Sequence, residues 1–356
     1  MSAIQLESIE KRWGKTIAVD NINLTAEEGR FLVLLGPSGC GKSTTLRIIA
    51  GLESPSKGRV WINGGDVTDR PSSDRHLSMV FQSYALFPHL NTEENILFGL
   101  KVRKVPAPER QQRLKKVADL VGLADYLDRK PSQLSGGQRQ RVALARAVIA
   151  ENPICLMDEP LSNLDAKLRH DMRVEIRSLQ RQLGMTVVYV THDQTEAMSM
   201  ADKVILMRDG KIEQQDTPGN LYDSPASTFT ARFIGTPPMN LLSMTSDARG
   251  VSIEGTDALV HSARPNSQLG IRPEHISLDS RSGIPATLVA SDYLGADTIV
   301  TAVIGTQELM IRIPGRYELK GQEAVFLRWQ PQFARLFDKE SGLLIDDGPV
   351  LSAATG

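Results

Sequence analysis

One short stretch, GPSGCGKST at positions 36–44, limits the folds open to this chain more than any other feature. It follows the apolar run FLVLL (31–35) and precedes the helical pattern TLRIIAGL (45–52), the context that G-x-x-x-x-G-K-[ST] requires. Glycines let the backbone wrap around phosphate oxygens, and the loop amides and helix start supply positive potential. The alternative is a glycine-rich turn without a ligand. We expect a nucleotide phosphate loop built from Gly36, Pro37, Ser38, Gly39, Cys40, Gly41, Lys42, Ser43 and Thr44.

Side chains suited to phosphate chemistry recur at the ends of predicted strands. Within the loop, Lys42 would hold the β- and γ-phosphates, and the Ser43 hydroxyl would ligate Mg²⁺. ICLMDEP (154–160) ends an apolar run in two carboxylates, at the sheet edge where open α/β folds bind ligands. Asp158 would reach Mg²⁺ through water, and Glu159 would polarise the attacking water. Taken alone, a solvated acidic turn is the competing interpretation.

Two further strand-end residues carry a weaker signal. His192 closes VVYVTH (187–192), where it could contact the γ-phosphate. A lone histidine at a strand end is more often structural. Gln82 closes MVFQ (79–82), and a glutamine there can ligate a metal or cap a turn.

Residues 1–235 alternate short apolar runs with amphipathic stretches. The runs predict strands at 31–36, 77–82, 154–159, 187–192 and 203–208. Apolar residues three and four apart predict helices over 107–123 and 164–184, with Gly184 as the stop of the second. Strands that alternate with helices predict an α/β fold with a mostly parallel sheet.

The pattern of apolar and polar residues changes near FIGTPPMNLL (233–242). Beyond it, short alternating stretches such as ATLVAS and TIVTAVIG are separated by turn signals, and long helical periods are scarce. We therefore expect residues 236–356 to form a separate β-rich domain, a small barrel.

Composition narrows the class of partner. The formal net charge is -1 and no Lys/Arg run stands out, so a nucleic acid held mainly by its phosphates is disfavoured. The two cysteines, Cys40 and Cys155, lack metal-ligand spacing, and a reduced compartment is expected. No apolar run reaches membrane-spanning length and the start lacks an apolar signal core, so any membrane role is expected to act through a partner.

The stretch LSGGQ (134–138) follows the phosphate loop and opens another helix. Together these elements resemble the ATP-binding-cassette ATPases, and the resemblance covers residues 1–235, with a helical signature subdomain at about 88–150. It implies a P-loop NTPase fold in a head-to-tail homodimer, where the signature of one copy closes on the ATP of the other. Ser135, Gly136 and Gly137, with Gln138 beside them, would face the opposite γ-phosphate. The alternative is an ordinary serine-capped core helix, which leaves two adjacent glycines unexplained.

The resemblance also implies roles for single residues. Trp13 would stack on adenine, although core packing is the rival interpretation. Gln82 would link Mg²⁺ to the transport partner, and His192 would be the switch histidine. LSNLD (161–165) matches the family's D-loop, with Asp165 crossing the dimer interface.

The tail favours one branch of this family. GTPPMNLL (235–242), LGIRPEHISL (269–278) and ARLFDKESGLLI (334–345) look like the regulatory domain of carbohydrate-importer ATPases, an all-β domain of oligonucleotide/oligosaccharide-binding (OB) type. The implied partners are two integral membrane permease subunits and an extracytoplasmic solute-binding protein, with the chain at the cytoplasmic face of a bacterial inner membrane. Importers of polyamines or other polar solutes stay open. So does an added role in which residues 236–356 sequester a cytoplasmic protein.

The chain does not fit cassettes of DNA repair or chromosome structure. Those carry a long coiled coil between phosphate loop and signature, whereas the short interval from Lys42 to Ser135 has no sustained heptads. A cassette of the translation type would place two phosphate loops in one chain, and the sequence has one. The expected activity is therefore ATP hydrolysis that drives import of a carbohydrate or related polar solute.

Overall fold

The structure is a computed structural model that describes residues 2–248, 250–260 and 263–345. Its packing divides the chain into two compact units, Met1–Pro218 and Gly219–Gly356. The end of the predicted second domain, 346–356, lies outside the described residues. Among the helices that the structure describes, none is long and apolar enough to cross a membrane.

The first unit contains strands and helices in alternation. Its strands are β1 (Ser2–Trp13), β2 (Thr16–Glu27), β3 (Phe31–Leu35), β4 (Lys57–Ile62), β5 (Gly65–Asp66), β6 (Leu77–Val80), β7 (Ile154–Asp158), β8 (Thr186–Thr191), β9 (Lys203–Arg208) and β10 (Lys211–Asp216). Its helices are α1 (Lys42–Ala50), α2 (Thr92–Val102), α3 (Ala107–Leu120), α4 (Gly136–Val148), α5 (Ala166–Leu183) and α6 (Gln194–Met200), with short 3-10 turns at Ser72–Asp74, Ala124–Tyr126 and Pro131–Gln133.

A six-stranded sheet with the order β10-β9-β3-β8-β7-β6 forms the centre of this unit. Its neighbours from β9 to β6 pair in parallel, and β10 pairs antiparallel with β9 at one edge. The five apolar runs predicted as strands are β3, β6, β7, β8 and β9. The α/β fold with a mostly parallel sheet is therefore confirmed.

A second sheet, antiparallel with the order β2-β1-β4-β5, is absent from the sequence predictions. The reason is local: β1 and β2 are long but irregular, with register shifts such as the one between Leu6 and Ile9. Bulges of this kind break the period-two alternation by which strands are recognised.

Both sheets and α1 share one hydrophobic core. The fully buried members include Leu6 and Ile9 from the antiparallel sheet, Leu46 from α1, and Leu34 and Val188 from the parallel sheet. This core clamps α1 between the sheets, and so fixes the direction in which its first turn points.

The predicted helices are also confirmed. In α5, Met172, Ile176 and Leu179 are buried, and Gly184 ends the helix in the left-handed conformation at φ 63°. In α3 the buried face contains Leu114 and Val117. Helices α2, α3 and α4, which come between β6 and β7 in the sequence, pack on one another.

The second unit is rich in antiparallel strands. Its elements are α7 (Pro218–Asp223), α8 (Thr228–Phe233), β11 (Asn240–Asp247), β12 (Gly250–Ile253), β13 (Ser267–Ile271), β14 (Ser277–Asp279), β15 (Ile284–Tyr293), β16 (Asp297–Ile304), β17 (Gln307–Pro314), β18 (Glu323–Arg328) and β19 (Arg335–Asp338), with 3-10 turns at Pro273–His275 and Pro331–Phe333. They form two antiparallel sheets, β12-β11-β13-β19 and β14-β18-β15-β16-β17. The predicted β-rich character of this part is confirmed.

The buried guanidinium of Arg272 ties α7 and α8 to the strands of this unit. Arg272 is 2% exposed and lies 4.0 Å from the centre of the Tyr222 ring. It donates hydrogen bonds to the carbonyl oxygens of Tyr222 at 2.8 Å, Ala231 at 3.1 Å and Ile234. Burial lowers the pKa of Arg272, so the contacts come at a desolvation cost.

These contacts explain why the second compact unit begins at Gly219, before the sequence pattern changes near residue 233. The boundary between residues 235 and 236 rests on the sequence pattern and stays a prediction.

We expect Arg272→Met to lower the free energy of unfolding of the second unit by about 3 kcal/mol, because two buried carbonyls and one part-buried carbonyl lose their donor. Hydrogen-exchange mass spectrometry of peptides from 219–345 measures this as faster exchange. The control is Arg328→Met, which removes an exposed ion pair with Asp279 in the same unit and should cost under about 0.5 kcal/mol. Equal effects of the two variants would contradict the assigned role of Arg272.

Candidate active site

The predicted phosphate loop forms a tight turn from the end of β3 to the start of α1. Gly36 and Gly41 adopt φ values of 153° and 101°. A Cβ on Gly41 would lie 2.6 Å from the carbonyl oxygen of Ala18, so only glycine fits there. A Cβ on Gly39 would meet nothing within 4 Å, and its requirement is the φ of 80° alone.

The start of α1 is prepared for an anion. Gly41 is the N-cap and brings no side-chain cap, which leaves the first-turn amides to a ligand. Lys42 is 5% exposed, and its Nζ donates to the carbonyl oxygens of Gly36 and Pro37, both at 2.8 Å. The ammonium therefore lies inside the curve of the loop.

The other loop residues differ in exposure. Ser38 is exposed, Thr44 is half-buried, and Cys40 is buried with its Sγ 3.8 Å from Lys42 Nζ. Burial raises the pKa of the Cys40 thiol, so this residue packs beneath the loop as a neutral group.

Ser43 and Asp158, each predicted to serve Mg²⁺, contact each other at the edge of the sheet. The Ser43 hydroxyl donates to Oδ1 of Asp158 at 2.7 Å, and Asp158 is 6% exposed at the end of β7. A hydroxyl and a carboxylate oxygen side by side are hard oxygen donors, which fit Mg²⁺. The third predicted ligand, Gln82, is exposed and donates from its amide to Ser162 Oγ at 3.4 Å.

Glu159 and His192 also come together. Glu159 follows β7 with a φ of 43°, a left-handed conformation that costs a non-glycine residue about 1–3 kcal/mol. Its N–H donates to the carbonyl oxygen of Val190 at 3.1 Å, which pins the strained residue to the end of β8. Its Oε2 lies 3.2 Å from Nδ1 of His192, and the His192 side chain is 55% exposed. His192 thus orients the Glu159 carboxylate and is itself accessible to a ligand.

Ser162 and Asn163, which are not among the predicted site residues, join Gln82 to the segment that follows the acidic strand. Ser162 Oγ donates to the carbonyl oxygen of Glu159 at 3.0 Å while it accepts from Gln82. Asn163 Nδ2 donates to the carbonyl oxygen of Gln82 at 3.2 Å. The only sequence signal was their position in LSNLD, where Asp165 caps α5 through Oδ1.

The glycine pair opens α4 through a capping box. Ser135 Oγ accepts from the N–H of Gln138 at 3.3 Å, and Gln138 Oε1 accepts from the N–H of Ser135 at 2.8 Å. A Cβ on Gly137 would lie 2.9 Å from a methyl group of Leu168, whereas a Cβ on Gly136 would lie 3.4 Å from a methyl group of Leu164, an ordinary contact. Packing against α5 therefore favours a small residue at Gly137, which the serine-capped core helix alone does not explain.

Trp13 ends β1 with its ring half exposed, at 50%. Lys11 Nζ lies 5.6 Å from the ring centre. Core packing, the rival interpretation of Trp13, does not hold, since the ring is one of the large exposed hydrophobic side chains of the described residues. An exposed ring is available for stacking on a base.

Two family models match the chain. The ABC transporter model matches residues 19–162, which contain the phosphate loop, the signature and the acidic strand. The TOBE domain model matches residues 269–337 in the second unit.

Relatives match nearly the whole chain. The sn-glycerol-3-phosphate import ATP-binding protein UgpC of Salmonella typhimurium is 44% identical over 354 residues, covering 96% of this chain and 99% of the relative. The protein of the same name from Ruegeria pomeroyi is 42% identical over 346 residues, with the same coverage.

Solved structures resemble a part of the chain. The ATP-binding cassette MJ0796, described as a dimeric post-hydrolysis state bound to ADP and Pi, is 34% identical with a TM-score of 0.54, covering 60% of this chain and 98% of that one. The cbiO1 protein from Clostridium perfringens is 26% identical with a TM-score of 0.59, covering 63% and 91%.

The packing at the glycine pair predicts unequal effects of two alanine substitutions. Gly137→Ala should leave the first unit about 1–2 kcal/mol less stable than Gly136→Ala does, because both gain helix propensity and only the methyl group at 137 presses on Leu168. Gly136→Ala should change stability by less than about 1 kcal/mol, since alanine favours the helix and its Cβ is tolerated. Urea unfolding without nucleotide measures both. Equal destabilisation would contradict the packing assigned to Gly137.

Proposed function

The chain belongs to the ABC transporter family, and from that premise we propose that it is the ATP-hydrolysing subunit of an importer for sugar phosphates and related polar solutes. The observation that carries the proposal is the convergence of Lys42, Ser43, Asp158, Glu159 and His192 at one edge of the parallel sheet. The names of the relatives, sn-glycerol-3-phosphate import proteins, support the solute class.

The phosphate loop would hold the triphosphate. Lys42 would move its ammonium from the carbonyls of the loop to the β- and γ-phosphate oxygens, and the free amides of the loop would bind the same oxygens. Trp13 would stack on the adenine. When bound, Mg²⁺ would neutralise charge on the phosphates, held by the Ser43 hydroxyl and the Asp158 carboxylate, with Gln82 as the third ligand.

Glu159 would act as the general base. It accepts a proton from a water molecule whose oxygen attacks the γ-phosphorus, while the bond to the bridging oxygen of ADP breaks and inorganic phosphate leaves. His192 would orient the Glu159 carboxylate through the Nδ1 contact and reach the γ-phosphate with its exposed ring.

A second copy of the chain would complete each pocket. Ser135 Oγ accepts the Gln138 amide, so its hydroxyl proton stays free to donate to a γ-phosphate of the partner copy. Gly136 adds a backbone amide at the start of α4, where the helix dipole favours an anion. Asp165 would cross the interface beside them. The dimeric state of the similar cassette MJ0796 supports this arrangement.

The chain would work at the cytoplasmic face of the inner membrane of a bacterium. Its partners would be two membrane permease subunits, which form the path, and an extracytoplasmic solute-binding protein, which selects the solute. The segment after Gln82 would face the permease. The β-rich second unit would regulate the ATPase or support the dimer.

We expect Glu159→Gln to lower ATP turnover by about 10²–10⁴-fold, because the base is lost while the shape of the side chain is kept. ATP binding to Lys42 and the loop should persist. The measurements are phosphate release and equilibrium binding of labelled ATP. The control is Glu151→Gln, which removes an exposed partner of Arg113 and should leave turnover near the wild-type value. Turnover of Glu159→Gln at the wild-type rate would remove Glu159 from its role.

The proposed coupling to a sugar-phosphate importer is tested by exchange of subunits. A Salmonella typhimurium strain that lacks its own UgpC should regain uptake of sn-glycerol-3-phosphate when this chain is supplied, and a Lys42→Ala version should not restore it. If the chain co-purifies with the membrane subunits and hydrolyses ATP but drives no uptake of this solute, the proposed coupling to a sugar-phosphate importer is contradicted and the ATPase assignment stands.

A further inference from the structure

A buried carboxylate lies directly behind the turn that carries His192. Glu196 in α6 is 3% exposed. Its Oε2 accepts two hydrogen bonds, from the Tyr189 hydroxyl at 2.9 Å and from the Thr191 hydroxyl at 2.7 Å. Both donors belong to β8, the strand that ends immediately before His192.

The two donors differ in what else they contact. Thr191 Oγ1 also accepts from the N–H of Asp193 at 3.0 Å, so Thr191 and Asp193 are bridged on either side of His192. A carboxylate can only accept, so the Thr191 proton points to Glu196 and the lone pairs of Oγ1 are left for the Asp193 amide. The Tyr189 hydroxyl donates to the same carboxylate, but among the described residues no hydrogen bond links this hydroxyl to the turn.

The turn is closed from the helix side as well. Asp193 Oδ1 accepts from the N–H of Thr195 at 2.7 Å and from the N–H of Glu196 at 3.3 Å. Asp193 Oδ2 lies 3.4 Å from Arg169 Nη1 in α5. The backbone of Glu196 thus holds Asp193, its side chain holds Thr191, and His192 lies between the two.

Burial of a carboxylate in this position costs folding free energy, which is unfavourable for a residue with a purely structural role. Burial raises the pKa of Glu196, which records the penalty for its charge. A buried charge whose hydrogen bonds are well formed can specify one conformation of the groups that donate to it, here the end of β8.

We propose that Glu196 is a positioning residue for ATP hydrolysis, which holds the His192 turn in place through the hydroxyl of Thr191. The inference rests on the proposed function, since it requires His192 to act on Glu159 or the γ-phosphate. A shift of His192 by about 1 Å would separate its ring from Glu159, and misplacements of that size can cost about 10²-fold in rate.

The test compares two variants that each remove one donor to the same oxygen. Thr191→Val should lower kcat for ATP hydrolysis by about 10–100-fold with little change in KM, because ATP is bound elsewhere by the phosphate loop. Tyr189→Phe should stay within about threefold of wild type, because the bridge to Asp193 survives. Thr191→Ser keeps the hydroxyl and should rescue kcat.

A double-mutant cycle separates positioning from general damage. In a His192→Ala background, Thr191→Val should have little further effect on kcat, since the residue that it positions is gone. Glu196→Leu removes the acceptor itself, whereas glutamine would keep an accepting oxygen, so Glu196→Leu serves as a second entry to the same cycle. Thermal unfolding of each variant shows whether it folds.

The outcomes distinguish the two proposals. If His192→Ala keeps the wild-type kcat, the proposed role of His192 fails. If His192→Ala lowers kcat, the inference about Glu196 is overturned by equal kcat losses in folded Thr191→Val and Tyr189→Phe. Full additivity of Thr191→Val or of a folded Glu196→Leu with His192→Ala also overturns it.

Discussion

In-register parallel pairing of three strands is the constraint on which the site depends. Leu35 at the end of β3 pairs with Thr191 of β8, and Asp158 at the end of β7 pairs with Val190 of β8. The strands β3, β7 and β8 therefore end at the same edge of the sheet. The phosphate loop, the carboxylate pair and the histidine turn follow from those three ends, and a slip in register would separate groups that now lie within hydrogen-bond distance.

Much of this arrangement could be predicted because the buried strands are short apolar runs with chemistry at their ends. The contact between Ser43 and Asp158 and the contact between Glu159 and His192 both connect residues chosen from the sequence. What could not be predicted depends on long-range packing. The bulged strands β1 and β2 lack a clean period, and Ser162 and Asn163 acquire their contacts only when the fold brings Gln82 to them.

The start of α4 has a packing role and, in the proposed function, a ligand-binding role as well. A methyl group at Gly137 would press on Leu168, so packing favours a small residue there without any nucleotide. Gly136 has no such close neighbour, and Ser135 keeps a hydroxyl proton after it caps the helix. The evidence for a pocket shared between two copies therefore rests on Ser135, Gly136 and the family relationship, rather than on the glycine pair as a whole.

The shared pocket is the central claim, and subunit mixing tests it most directly. Lys42→Ala removes the lysine of the phosphate loop in one copy, and Ser135→Arg blocks the signature in the other copy. Each variant alone should be inactive. In a mixed dimer, one pocket would combine the intact Lys42 of one copy with the intact Ser135 of its partner, so the mixture should regain ATP turnover. Mixed dimers that form but hydrolyse no more ATP than the separate variants would contradict the account.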